Sequence, residues 1–186
     1  YRLDKERTSC NCETCNTYNM LKMSSQLYCI TGKAKYAEYY ENAYINTILS
    51  SQNPATGMTT YFQPMATGYF KVYGEKFDKF WCCTGSGMEN FTKLGSNYYY
   101  VVEDTVYAAL FVSSVLDLPE RGVKMIQESE VLAGGDTKFT IKGDATGLKL
   151  AVRIPSWETA IPCVRKNGTY IATEMCDGYM IVDELQ

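Results

Sequence analysis

Met88-Glu-Asn-Phe-Thr-Lys-Leu94-Gly-Ser-Asn97-Tyr-Tyr-Tyr-Val-Val102-Glu-Asp104-Thr-Val-Tyr-Ala108 is the stretch at which the hydrophobic pattern changes period. Up to Leu94 the apolar residues recur three apart, as on one face of a helix. After about Asn97 the period becomes two, with β-branched and aromatic residues enriched. Downstream, turn signals recur every 8–12 residues and bound candidate strands at 98–103, 106–113, 123–131, 137–142, 148–154, 163–166, 169–173 and 179–183. Glu103-Asp104 reads as a tight hairpin between the first two. Asn167-Gly168 is the strongest two-residue hairpin signal in the chain. Upstream, Tyr36, Tyr40, Tyr44 and Ile48 share a helical stripe, and Thr31-Gly32 breaks the pattern into helices at 14–30 and 34–50. Gly32 suits the position just past a helix end, and Asn53-Pro54 with Gly57 closes the second helix. Residues 58–79 read as loop with short extended pieces. Gly85-Ser-Gly87 then precedes a short helix at 88–94.

The fold class expected from this pattern is α+β in two parts: helices over 1–97, then an antiparallel β-sandwich over 98–186 that is incomplete at its C-terminal end. The chain opens at Tyr1 with neither an initiator Met nor a signal-peptide pattern, and it stops inside a strand-like run at Gln186. It therefore reads as an internal piece of a longer protein, with compartment and oligomeric state left open.

Composition narrows the function. The 186 residues carry 18 Lys+Arg against 21 Asp+Glu, a net charge of −3, with 46% hydrophobic and 21% charged content. This describes an ordinary folding chain and excludes disorder or a basic nucleic-acid binder. The longest apolar stretch, 106–118, is interrupted by Ser113, Ser114 and Asp117 and falls short of the ~20 residues that cross a bilayer. There is no His, so the Ser-His-Asp triad and His-based metal sites are excluded; chemistry must come from carboxylates, thiols or tyrosines. The 16 Tyr favour a site with amphipathic aromatic walls, as sugar binders have.

Soft ligands gather in Cys10-Asn-Cys12-Glu13-Thr-Cys15 and in Phe80-Trp81-Cys82-Cys83-Thr-Gly85, about 70 residues apart. Zinc prefers four tetrahedral ligands, and Glu13, Cys15, Cys82 and Cys83 would supply them without His. Buried structural thiols and disulfides explain the same residues, although adjacent cysteines rarely bond each other without strain. Cys29, Cys163 and Cys176 read as ordinary buried thiols.

Five segments in order, Glu13-Thr-Cys15-Asn-Thr-Tyr18-Asn-Met-Leu-Lys22, Tyr36-Ala-Glu-Tyr-Tyr-Glu41-Asn-Ala-Tyr44-Ile-Asn46, Tyr61-Phe-Gln-Pro-Met65, Phe80-Trp-Cys82-Cys83-Thr-Gly-Ser-Gly-Met-Glu89 and Arg153-Ile-Pro-Ser-Trp157, resemble the β-L-arabinofuranosidase-like glycoside hydrolases of families 127 and 146. The resemblance implies that 1–97 is the C-terminal part of an (α/α)6-barrel catalytic domain and 98–186 the following sandwich. It implies a zinc ion held by Glu13, Cys15, Cys82 and Cys83, with Cys82 the nucleophile of a retaining mechanism on arabinose-containing glycans. Glu41 and Tyr61 match residues that line the sugar pocket. For these two the other reading is a solvated helix carboxylate and a core phenol. For Cys82 it is a metal ligand without a nucleophilic role, within a non-catalytic carbohydrate-binding or structural module. Glu89 reads as a first-turn carboxylate favoured by the helix dipole. The family's general acid/base and pocket histidines are expected upstream of Tyr1, so this piece alone is expected to hydrolyse little. Cys10 and Cys12 are additional to the family pattern and could pair or compete for the metal. Trp157 is expected to pack at the junction of the two parts.

Overall fold

The structure is a computed structural model that describes residues 12–185. Cys10 and the carboxylates Asp4 and Glu6 lie outside the described residues. The chain divides into two compact units, one of residues 1–30 and 39–94 and the other of residues 31–38 and 95–186.

The first unit begins with the two-residue strand β1 (Cys12–Glu13), which runs straight into helix α1 (Thr14–Thr31). Thr14, Thr17, Tyr18, Leu21, Ser24 and Tyr28 are buried at helical spacing, so one face of α1 forms the inner surface. Gly32, at φ +66°, then leaves the helix as a left-handed C′ residue, as the sequence indicates. Helix α2 (Ala34–Ala43), whose first residues to Glu38 belong to the second unit and the rest to the first, gives way to a π-helical turn (Tyr44–Ile48) and a 3-10 turn (Leu49–Ser51). The helix expected over 34–50 is thus one continuous helical segment whose winding changes. The widened turn buries Tyr44 and Ile48 and sets the Tyr44 ring edge-on to Phe91, 6.2 Å between centroids.

Residues 52–81 are loop pinned by short extended contacts. Isolated bridges join Gln52 to Thr59 and Thr60 to Tyr73, and strand β2 (Phe62–Gln63) pairs antiparallel with β1, Cys12 opposite Gln63 and Glu13 opposite Phe62. Helix α3 (Cys82–Lys93) starts six residues earlier than the 88–94 expectation, so Gly85 and Gly87 lie inside it. Two glycines lower helix propensity by about 1 kcal/mol each, which is why the pattern alone places the start too late. Packing accounts for Gly87: a Cβ there would stand 2.9 Å from Thr59 Cγ2. Glu89 consequently sits in mid-helix, not in the first turn the sequence suggests, where the helix dipole gives its carboxylate no particular advantage.

The second unit is β-rich. Strands β3 (Tyr99–Val102) and β4 (Thr105–Ala108) form the Glu103-Asp104 hairpin, and β5 (Ser114–Leu118), β6 (Val123–Ser129) and β7 (Thr137–Lys142) follow as an antiparallel three-stranded sheet in that order. Then come β8 (Lys149–Arg153), the hairpin β9 (Val164–Lys166) and β10 (Thr169–Ile171), and β11 (Glu174–Cys176) with β12 (Tyr179–Val182). Sheet order β11-β12-β8-β4-β3 is antiparallel except for β4 beside β8, which run parallel. Both larger sheets contribute to one core, with Val106, Val123, Met125, Leu148, Leu150, Val152, Met180 and Val182 buried in a single cluster.

Three sequence expectations change here. The run 106–113 is not one strand: β4 ends at Ala108, where Ala109 and Leu110 N–H groups turn to the Tyr98 carbonyl, and β5 begins at Ser114. The buried Arg153 Nε donates to the Ala109 carbonyl at 2.7 Å and Gln127 Nε2 to the Leu110 carbonyl at 3.0 Å, so side chains hold this crossing backbone. Strand β11 is additional to the expected strands: its three residues are all exposed and so carry no alternating pattern, although Asp177-Gly178, with φ +48° and +87°, repeats the Asn167-Gly168 turn chemistry. Cys29, Cys163 and Cys176 are exposed rather than buried, and every described cysteine is free.

The Arg153-to-Trp157 segment ends β8, and Ser156 N–H then donates to the Glu38 carboxylate at 3.0 Å within this unit. Trp157 itself is half exposed.

The packing of α3 is testable at its two glycines. Gly85→Ala, whose Cβ meets nothing nearer than Phe80 Cε1 at 3.8 Å, should raise the free energy of urea unfolding by about 1 kcal/mol. Gly87→Ala should forfeit that gain against Thr59 and destabilise by about 1–2 kcal/mol. Equal stabilisation by both would contradict the close approach at Thr59.

Candidate metal-thiolate site

Two helix beginnings make the site. The chain enters α1 from the β1–β2 pairing, which places Cys15 in the first turn of α1. It enters α3 from an extended Trp81, which places Cys82 and Cys83 as the first two residues of that helix. First-turn N–H groups have no partner within the helix and carry partial positive charge, so both positions favour an anionic sulfur. Trp81 provides no side-chain cap for α3.

The sulfurs of Cys15, Cys82 and Cys83 all lie within 4.8 Å of one another. Cys15 Sγ stands 3.2 Å from Cys83 Sγ, too far for a disulfide bond of about 2.05 Å. Sulfur ligands about 2.3 Å from a tetrahedral ion would be roughly 3.8 Å apart, so the three-thiol spacing fits a soft divalent metal. Burial grades across the trio: Cys83 is fully enclosed, Cys15 is partly covered and Cys82 is exposed. A cation here would therefore rest on an inner sulfur and present an outer one.

Electrostatics point the same way. Burial pushes the Cys15 thiol up to about 12; a hydrogen bond with Ser86 works against that rise, and the neighbouring Cys83 adds to it. Three crowded thiols cannot all lose protons against one another without a compensating positive charge, and a bound cation is the ordinary source of one. Cys82 differs: contact with Tyr61, then with Cys15, holds its thiol below the ordinary value. Tyr61 Oη lies 3.7 Å from Cys82 Sγ, and that contact, followed by the charges of Cys82 and Glu13, pushes the phenol up to about 12. Tyr61 thus keeps its proton at neutral pH and can share it with the sulfur.

Of the sequence-derived residues, Cys15, Cys82, Cys83 and Tyr61 are brought together. Glu13 is outside the group of mutually close metal donors, although its charge is felt at Tyr61. Glu41 is 7% exposed on α2, so it is no solvated surface carboxylate, and none of the contacts described around Cys82 involves it. Cys12 is free and half-buried, its thiol raised by burial.

Other neighbours were not anticipated. Ser86 Oγ lies 2.8 Å from Cys15 Sγ and donates to the Cys82 carbonyl at 2.9 Å. The Tyr61 ring, whose hydroxyl meets Cys82, itself meets Phe62 and Trp81 edge-on, at 4.6 and 5.7 Å between centroids. Ser86 would have been legible as the residue one turn beyond Cys82 and Cys83 had α3 been started at Cys82.

Two sequence-family profiles match the chain: Beta-L-arabinofuranosidase, GH127 catalytic domain, over residues 1–96, and Beta-L-arabinofuranosidase, GH127 middle domain, over residues 105–185. Among solved structures, it is similar to a GH127 beta-arabinofuranosidase at 23% identity and TM-score 0.76, covering 92% of this chain and 30% of that one. It is similar to a protein described as a glycoside hydrolase at 20% identity and TM-score 0.77, covering 91% and 30%. A GH127 beta-L-arabinofuranosidase from Geobacillus stearothermophilus T6 matches at 21% identity and TM-score 0.72, covering 91% and 29%. The chain spans about 30% of the length of these structures. A comparison with curated proteins finds no match.

The Tyr61–Cys82 contact has a measurable sign. In the metal-free chain, iodoacetamide should alkylate Cys82 with a pH midpoint below that of an ordinary thiol, since thiolate forms earlier as pH rises. Tyr61→Phe removes the largest lowering influence and should move that midpoint upward; an unchanged midpoint would show that the phenol does not act on the sulfur.

Proposed function

The chain belongs to the GH127 beta-L-arabinofuranosidase family, and from that membership we propose that it forms part of a retaining glycosidase acting on L-arabinofuranose-containing glycans, with the Cys82 thiolate as nucleophile. On this reading residues 1–97 are the closing part of an (α/α)6-barrel catalytic domain and 98–186 a β-sandwich domain. The observation that carries the reading is the graded trio of thiols, in which Cys82 alone is exposed. A purely structural site would enclose all its ligands; this one turns one sulfur outward beside Tyr61.

Zinc fits the three-thiol donor set of Cys15, Cys82 and Cys83, and Glu13, two residues before Cys15, is the fourth ligand on this reading. When bound it would supply the positive charge that keeps these sulfurs deprotonated at neutral pH. The remaining work belongs to the chain's own groups. Cys82 Sγ attacks the anomeric carbon and forms a carbon–sulfur bond as the bond to the leaving oxygen breaks. That oxygen takes a proton from a general acid, a role given to none of the residues above. Water, giving up a proton to a general base, then displaces the sulfur from the opposite face, the one the leaving oxygen vacated, and the two inversions give net retention. Tyr61, protonated and close to Cys82, steadies the thiolate before attack and again as it departs. Glu41 accepts hydrogen bonds from sugar hydroxyls, and Trp81 and Tyr61 flank the ring.

Elemental analysis of the chain purified under reducing conditions should find about one zinc per chain, lost on combined Cys15→Ala and Cys83→Ala substitution. In the full-length enzyme, Cys82→Ser should lower kcat on an aryl β-L-arabinofuranoside about a thousandfold or more. Turnover retained in that variant would remove Cys82 from the nucleophile's role.

A further inference from the structure

The three thiols come from two helices with no covalent link between them, so their spacing depends on how α1 lies along α3. Two side-chain contacts join these helices at matching heights. Cys15 Sγ meets Ser86 Oγ at 2.8 Å. Three residues further along each helix, the Tyr18 hydroxyl donates to the Glu89 carboxylate, Oε2. Both steps advance about 4.5 Å along a helix axis in the same direction, so the contacts form two successive rungs where the helices meet. A slip of one residue by either helix would break both rungs together.

The second rung is well supported. Tyr18 is buried at 8% exposure, and Lys22 Nζ lies 4.7 Å from its ring centroid one turn on, closing over the ring. The Glu89 carboxylate holds the Tyr18 phenol above its ordinary value, so the hydroxyl keeps the proton that it donates. Glu89 has no other part in the site described above: it sits two turns beyond Cys82, in mid-helix.

We propose that Tyr18 and Glu89 are positioning residues for the thiol cluster, locking the register of α1 against α3 so that Cys15 stands beside Cys83 and Ser86. This rests on the reading of Cys15 as a metal ligand. It makes Glu89 a determinant of metal affinity although it lies outside the cluster of close metal donors, in the way outer groups orient metal ligands elsewhere.

The test uses the 186-residue chain with cobalt(II) and zinc(II) as probes. Dissociation constants come from competition with a chromophoric chelator, and the thiolate-to-cobalt charge-transfer band reports how many sulfurs bind. Tyr18→Phe keeps the ring and deletes the donor; Glu89→Leu deletes the acceptor. Each should weaken metal binding about tenfold or more and reduce the charge-transfer intensity by roughly one third, the share of Cys15 among three thiolates. Glu89→Gln retains a carbonyl acceptor and should remain near the wild type in both readouts. Should Tyr18→Phe fail to fold, the Glu89→Leu and Glu89→Gln pair decides alone. A fall in melting temperature with unchanged affinity and band would overturn the positioning role. Metal uptake that Cys15→Ala abolishes but Tyr18→Phe leaves intact would overturn that role alone. Uptake indifferent to Cys15→Ala would overturn the reading of Cys15 as a ligand as well.

Discussion

The crowding of three sulfurs at two helix starts is the constraint on which the first unit depends. Thiols at Cys15, Cys82 and Cys83 gain little from contact with one another as neutral groups and repel as anions, so their approach must be held by the surrounding structure. β1 pairs with β2 and so delivers the chain into α1 beside the Tyr61 loop. Gly87 lets α3 lie close to Thr59. Ser86 bridges Cys15 and the Cys82 carbonyl, and Tyr61 touches Cys82 from the loop. A short strand pair, a small residue, a hydroxyl and a phenol converge on one spot, and each restricts the freedom that would otherwise let the sulfurs move apart.

A division of labour among the thiols follows from burial. The enclosed Cys83 suits a ligand that never leaves the metal, and the exposed Cys82, with its thiol held below the ordinary value by Tyr61 and Cys15, suits a sulfur that must reach a second partner. Glycosidases of the carboxylate type reach retention with an oxygen nucleophile. On the proposed reading, the exposed Cys82 sulfur would play the part that an oxygen plays there.

The second unit is organised by a different constraint, the satisfaction of backbone groups where the chain leaves its sheet after Ala108. Arg153 and Gln127, both almost wholly buried, spend their donors on the Ala109 and Leu110 carbonyls. That arrangement fixes the crossing to β5 and leaves the apolar side chains of both sheets free to form one core. Arg153 also lies against the Phe111 ring, 5.1 Å from its centroid, so its guanidinium meets a favourable surface as well as an acceptor.

Residue order alone determined the local chemistry: the α1 and α2 segments through their apolar stripes, the Gly32 stop, the Asn167-Gly168 hairpin, the change of period near Asn97 and the soft-ligand character of the two cysteine motifs. These are legible because they depend on neighbours a few residues away. The start of α3 was not, because Gly85 and Gly87 oppose helix locally and only packing against Thr59 explains one of them. The break between β4 and β5 was hidden because the groups that hold it, Arg153 and Gln127, come from distant strands. The exposure of Cys29, Cys163 and Cys176 is not legible in the sequence, because burial is a property of the assembled surface, not of residue type. The site shows the same limit. Sequence supplied the cysteines, but the Ser86 and Tyr18–Glu89 contacts emerge only when segments some 70 residues apart are brought side by side, and the Trp81–Tyr61 contact when segments 20 apart are, which is a matter of tertiary packing.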